Sequence, residues 1–395
     1  MSVSNYFIIE ILKAFLNDQK DLAVPVNVDW DNFNRLVEIN SISGIVGYVF
    51  QQSDTGHIPS EIKEEYESDF LSTITIATMR DEDMKLLIDL LNNDGIDHLL
   101  FKGFIVKDLY TVPELRTYGD IDFAIRKESR GKSNSLMCRN GYQLLDDWEP
   151  VYSYEKNTEH YEIHTELLDS NLNNKCDYQS YFRGFWKHAI CIGQHSFTLD
   201  PEFHLLYLLI HIAKHVYGSG AGIRMYLDIA FYLRAYRDQI DWEHFLQEVH
   251  TLGIDRFVNT VFTAVEKWFE TRSPIPLKTL DDAFIDEFLT FTLNGGVFGY
   301  NGKAAKLSQV RKNSQGKSVK RVDTLRKRAF PSVDTIKSRY TYLDGKPWLL
   351  PIAWVHRFFR KKGTTSGYLR ESKEILRTDK NEIVVLNNFY HEIGL

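Results

Sequence analysis

Asp120 and Asp122 stand one residue apart inside the apolar run 120–126, and that spacing is the first chemical signal in the chain. On a strand, alternate residues share a face with Cα atoms roughly 6.5–7 Å apart, so the two carboxylates point the same way. Such a pair holds one divalent cation, or two ions about 3.5–4 Å apart, in phosphoryl-transfer sites. Ile121 and Phe123 fall on the opposite face, which a half-buried strand turns to the core. A D-x-D on a solvent-facing strand is common, so the reading needs companions.

A third carboxylate is expected from a neighbouring strand. The stretch HYEIHTEL offers Glu162, with His164 two residues on and on the same face. Glu162 suits a metal ligand or a general base for an attacking hydroxyl. Lys102-Gly103 closes the apolar run 97–101 that should neighbour the Asp120 strand. Glycine there lets backbone amides approach a phosphate, and the lysine supplies a point charge. Arg116, just ahead of the strand, is a second candidate phosphate ligand. The metal set is therefore Asp120, Asp122 and Glu162, with Mg²⁺ or Mn²⁺ as the cation.

His204, His211 and His215 recur at spacings of seven and four, on one face of a helix. HIAKH puts two imidazoles a turn apart, but the metalloprotease pattern needs Glu after the first histidine, and here the residue is Ile212. That excludes the protease, and a zinc hydrolase is the remote reading. The histidine face either borders a nucleotide-binding cleft or is hydrogen-bonded in packing. Arg224 and Asp228, one turn apart, are placed to pair with each other.

Three regions are expected to position these residues. Residues 1–95 read as helical: Phe7, Ile8, Ile11, Leu12 and Phe15 recur at helical spacing. A second helix follows an N-cap at Asp29 or Asp31, and a long charged one runs over 60–92 to a stop at Asn92-Asn93-Asp94-Gly95. Residues 96–199 alternate as strands, at 97–101, 120–126, 142–145, 151–154 and 160–164, with helices at 104–110 and 129–140. Strands with few intervening helices predict an α+β layer built on a mixed sheet. Residues 200–395 turn helical again, opening on Asp200-Pro201-Glu202, where Pro occupies the first helical position. Within them, 303–328 is a basic, loop-like segment in which Asp323 is the single acid. It reads as a solvated connector, with a cover over phosphates as the functional alternative.

The composition bounds the partners. A chain of 395 residues supports two or three domains, and a net charge of −7 argues against a surface that coats nucleic acid. Cys138, Cys176 and Cys191 make no disulfide framework or C-x-x-C metal site, which suits a reducing cytosol. The apolar runs fall well short of the ~20 residues needed to span a bilayer, so a cytoplasmic protein is expected. The C-terminal stretch GKPWLLPIAWVHRFFRKK is apolar then basic, and its two prolines and aromatics favour packing over a membrane surface.

Taken together, these residues resemble an uncharacterised bacterial nucleotidyltransferase family of the DNA polymerase β-like superfamily. The likeness rests on Lys102-Gly103, Arg116, Asp120-Ile121-Asp122, Glu162-Ile163-His164, His211 to His215, Arg224 with Leu227-Asp228, and the PWLLP stretch at 347–351. It implies a minimal nucleotidyltransferase core flanked by helical regions, and transfer of a nucleoside monophosphate from a Mg²⁺-bound NTP to an acceptor hydroxyl on a small molecule, sugar, peptide or protein. Protein nucleotidylation, as in toxin–antitoxin systems built on this core, belongs to the same chemistry. The wider superfamily has Gly-Gly or Gly-Ser at the first motif, whereas this chain has Gly103-Phe104. Triphosphate binding then falls to Lys102, Arg116 or the basic segment. A degenerate module that binds nucleotide or a partner without turnover is the rival from another class.

Overall fold

The computed structural model describes residues 2–53, 56–157, 159–169, 172, 176–218, 220–297, 330–336, 340–343, 345–360 and 380–395. The N-terminal helices are α1 (Val3–Asn17), α2 (Trp30–Ile39), α3 (Ser43–Gln52) and α4 (Ser60–Asn93). Local chemistry sets their ends: Ser2 accepts from the Asn5 amide at the start of α1, and Asp29 from the Asn32 amide at the start of α2. α4 stops where Gly95 takes φ +60, a conformation open to glycine.

The middle of the chain supplies the sheet. Its elements are β1 (His98–Leu100), α5 (Gly103–Val106), β2 (Asp120–Ile125), α6 (Arg130–Arg139), β3 (Gln143–Trp148), β4 (Val151–Lys156), β5 (Glu159–His164), α7 (Tyr178–Phe182), β6 (Ala189–Cys191) and β7 (Ser196–Leu199). The strand order is β3-β4-β5-β2-β1-β7-β6. β2 runs parallel to β5 and antiparallel to β1, while β1 is parallel to β7, so the sheet is mixed. The fold is α+β, a mixed sheet flanked by helical regions, as the sequence pattern predicts. The strands β6 and β7 and the helix α3 are absent from that pattern.

Helices α8 (Pro201–Gly218), α9 (Ile223–Tyr236), α10 (Trp242–Thr251), α11 (Asp255–Phe269) and α12 (Asp282–Gly295) follow. Asp200 caps α8 by accepting from the Phe203 amide at 2.9 Å, with Pro201 in the first turn.

Two apolar layers sandwich the sheet and decide which way the acids face. Ile121, Phe123, Ile125, Tyr161 and Ile163 pack with Met84, Leu87 and Leu91 of α4 and Leu136 and Met137 of α6. The alternate residues, Ala124 and Leu99 among them, join the main core, which the N-terminal helices share with α8 to α12. Strand periodicity therefore aims Asp120 and Asp122 away from the α4–α6 layer, toward α8 and α9.

At the C-terminal end, a helix spans Leu350–Arg360 and another Lys380–Ile393. The first packs through Ala353 on a small cluster of Ile336, Tyr340 and Leu343 and leaves Ile352 and Val355 exposed, as is Trp348 in the turn before it. The second inserts Phe389, Tyr390 and Ile393 into the main core. No helix among the described residues is long and apolar enough to cross a membrane. The basic segment 303–328 lies outside the described residues.

Candidate active site

The parallel pairing of β2 with β5 sets Asp122 level with Glu162 and Ala124 level with His164. Side chains level on neighbouring strands share a face, so two acids 40 residues apart in sequence converge. One ligand atom from each of Asp122, Glu162 and His164 lies within 4.8 Å of the others. Asp120 falls outside that cluster, at the exposed mouth of the same face. Its surroundings raise its pKa above the usual carboxyl value, through partial burial first and the like charges of Asp122 and Glu162 second.

Lys102 reaches the cluster from the other side. Its Nζ lies 2.7 Å from Asp122 Oδ1, and His164 Nε2 lies 2.8 Å from the same oxygen. Burial works against both charges of the Lys102–Asp122 pair, and their mutual attraction more than offsets it. The ammonium is held protonated, and the carboxyl is held well below its ordinary range with help from His164. An ionised Asp122 only accepts, so His164 Nε2 donates, while its Nδ1 is buried with no hydrogen-bond partner among the described residues.

Lys102 is placed there by an unusual backbone. It has φ +54 and ψ −136, a region that disfavours any residue with a Cβ and costs about 1–3 kcal/mol. Its amide donates to Nε2 of His204 at 3.2 Å. That acceptor role needs a neutral imidazole, and burial secures it by pushing His204 down to about 3.

The histidine face thus divides its labour. His204 is hydrogen-bonded in packing, whereas His211 and His215 line the cleft with ring centroids 4.6 Å apart. Burial depresses both, His215 to about 4. Among the described residues the three histidines form no metal-holding group.

Arg116 and Gly103 also line the cleft, and each is tied into contacts within the protein. The Arg116 guanidinium forks onto Asp228, with Nε 3.1 Å from Oδ1 and Nη2 2.6 Å from Oδ2. The Tyr110 hydroxyl donates to the same Oδ1 at 2.7 Å. Asp228 therefore pairs with Arg116 across 112 residues and not, as helical spacing suggests, with Arg224. Gly103 is small because Arg116 packs on it: a Cβ there would sit 2.1 Å from Nη1. Sequence reading misses Tyr110, Thr117 and the Lys102–His204 contact, none of which carries a local signal. Arg224, read as a local partner for Asp228 and as part of the family resemblance, lines the cleft.

A cavity of about 170 Å³ opens between these groups. One wall carries Lys102, Asp120 and Asp122, the other His211 and His215 of α8 and Arg224 of α9, with Phe101, Phe104 and Ile212 between. The family model for uncharacterised nucleotidyltransferases matches residues 27–270, which hold every element of this cleft named so far. The chain belongs to that family. No curated protein and no solved structure matches it. Membership makes transfer of nucleotidyl groups the supported general activity, and the protein a transferase.

Does this nucleotidyltransferase-family cleft suit a divalent cation? The sheet face sets three carboxylates, Asp120, Asp122 and Glu162, against one ammonium, an excess of negative charge that a divalent cation would balance. His164 turns a proton, not a lone pair, toward the acids, so the donors offered are carboxylate oxygens. Oxygen donors of this kind fit Mg²⁺ or Mn²⁺ better than zinc.

Proposed function

We propose that the protein transfers a nucleoside monophosphate from an NTP to an acceptor hydroxyl, with Mg²⁺ or Mn²⁺. The observation that carries this reading is the β2–β5 register, which brings Asp122 and Glu162 side by side on one face of the sheet, with Asp120 and Asp122 lining a cleft. Asp120, Asp122 and Glu162 would hold the cation, which when bound neutralises charge on the phosphates and polarises the phosphorus under attack.

The chain's own groups do the rest by position and charge. Lys102 keeps Asp122 ionised and His164 fixes its orientation. The acceptor oxygen forms its bond to the α-phosphorus as the bond to pyrophosphate breaks, and the hydroxyl proton leaves to one of the carboxylates. The apolar residues Phe101, Phe104 and Ile212 limit water in the cleft, which favours an acceptor hydroxyl over hydrolysis.

A second reading, nucleotide binding without turnover, draws on one observation: Lys102 and His164 both already occupy Oδ1 of Asp122. One experiment separates the two. The full chain is incubated with each labelled NTP, Mg²⁺ or Mn²⁺ and a cell extract, and pyrophosphate release and label transfer are followed. Asp122→Asn is expected to lower transfer by about 10²–10³-fold, as loss of one electrostatic stabiliser does. Tight NTP binding with no pyrophosphate released, or an Asp122→Asn rate equal to wild type, rejects the enzyme.

A further inference from the structure

Arg224 stands in the first turn of α9 and is only 5% exposed, yet it has no carboxylate partner among the described residues. Nη1 donates to Thr117 Oγ1, and Thr117 in turn donates to the Ser41 carbonyl at 3.0 Å. Nε is buried with no partner at all among the described residues. The nearest acid, Asp228 one turn on, is already consumed by the Arg116 fork and the Tyr110 hydroxyl. Burial, and then the charge of Arg116, push Arg224 down to about 10, which leaves it cationic at neutral pH.

Folded proteins do not keep a buried guanidinium half-satisfied without reason, because an uncompensated charge is costly. The missing group is an anion, and the cavity that Arg224 lines is where it would enter. The first turn of a 14-residue helix adds a favourable dipole for negative charge. The two walls of the cleft are thereby opposite in sign. The sheet wall has carboxylates in excess and the helix wall has a cation in excess. A metal-bound polyphosphate complements both at once.

We infer that Arg224 is the polyphosphate-binding residue of the cleft, taking the pyrophosphate portion of the NTP. The assignment rests on the nucleotidyl-transfer reading for its substrate, but its own evidence is the unpaired guanidinium. Thr117 is the positioning residue that fixes the fork.

The test needs no turnover, so its failure is distinct from failure of the transfer reaction. Inorganic tripolyphosphate is titrated calorimetrically into the full chain without divalent metal, alongside an NTP and its monophosphate. Arg224→Met is expected to weaken tripolyphosphate and NTP by at least about tenfold, with Arg224→Lys intermediate because it keeps the charge and loses the fork. Binding of the monophosphate is expected to be unchanged. In thermal melts without ligand, Arg224→Met should unfold no lower than wild type, because it removes an unpaired buried charge and keeps the length of the side chain. Tripolyphosphate should raise the Tm of wild type and not that of the variant. Equal tripolyphosphate binding by wild type and Arg224→Met overturns the assignment, and so does no binding by wild type. A lower Tm for Arg224→Met shows the guanidinium to be satisfied within the protein and also overturns it. Weakened monophosphate binding moves the contact to the α-phosphate and rejects the pyrophosphate assignment.

Discussion

Asp122 on β2 and Asp228 on α9 each meet a cation inside the same cleft, and they are built for different ends. Asp228 is 4% exposed and accepts three hydrogen bonds spread over both oxygens, two from Arg116 and one from Tyr110. Charge and hydrogen-bonding capacity close on each other there, and the result is a strut between α9 and the segment before β2. Asp122 gathers Lys102 and His164 on a single oxygen, with Glu162 level with it on β5 and Asp120 beside it on β2. Its surroundings are left with unneutralised negative charge. The first arrangement needs nothing from outside, whereas the second leaves negative charge that a cation would balance. A buried ion pair alone does not mark an active site; the unbalanced remainder does.

The largest effect expected from breaking this contrast is on the strut. Asp228→Asn leaves the Arg116 guanidinium buried without its counter-charge, which costs about 3–5 kcal/mol. Urea denaturation should show it directly. Asp122→Asn should lose less than about half as much, because it relieves repulsion among three acids even as it uncouples Lys102. The contrast collapses if both variants lose the same stability.

Gly103→Ala gives the next largest effect. Its Cβ cannot coexist with Arg116 Nη1, so the guanidinium must shift off the Asp228 fork, at about 1–3 kcal/mol for an overpacked site. A lower Tm is the expected result. An unchanged Tm would mean that Arg116 moves aside freely, and would return it to the list of phosphate ligands.

The parts of this cleft that could be read in advance are those with a local signature. D-I-D and E-I-H alternate apolar and polar residues over a few positions, so strand and facing acid emerge together. What joins them is not local. The Arg116–Asp228 fork spans 112 residues, and the only partner that spacing offers Asp228 is the wrong one, Arg224. The helix α3 was obscured for a related reason. SGIVGYVFQQ is buried nearly all round, so it lacks an amphipathic period, and Gly44 and Gly47 look like breakers. They are contact points: a Cβ on Gly47 would lie 2.0 Å from the Tyr66 carbonyl of α4. Lys102 shows the same limit, since nothing in Phe-Lys-Gly announces a positive φ held by a histidine more than a hundred residues away.

The smallest effect separates the two acids by pH. His204 has a folded value of about 3, below the ordinary 6.5 that an unfolded chain restores. Between those values the unfolded state binds the extra proton, so stability is fully present above pH 6.5 and falls as the pH drops. The slope is about 1.4 kcal/mol per pH unit for one histidine. Protonation removes the acceptor for the Lys102 amide, so acid loosens the Lys102–Asp122 side of the cleft. Arg116 stays charged throughout this window, because Asp228 outweighs the burial that opposes its charge. Urea denaturation at pH 7 and pH 5 reads the slope, and His204→Gln supplies the comparison, since its amide oxygen accepts the same hydrogen bond without titrating. The variant should lose about one histidine's share of the slope and keep the Arg116–Asp228 strut intact. If it is as acid-sensitive as wild type, His204 is not what ties the Lys102 backbone to α8, and the positive φ at Lys102 must be held by packing alone.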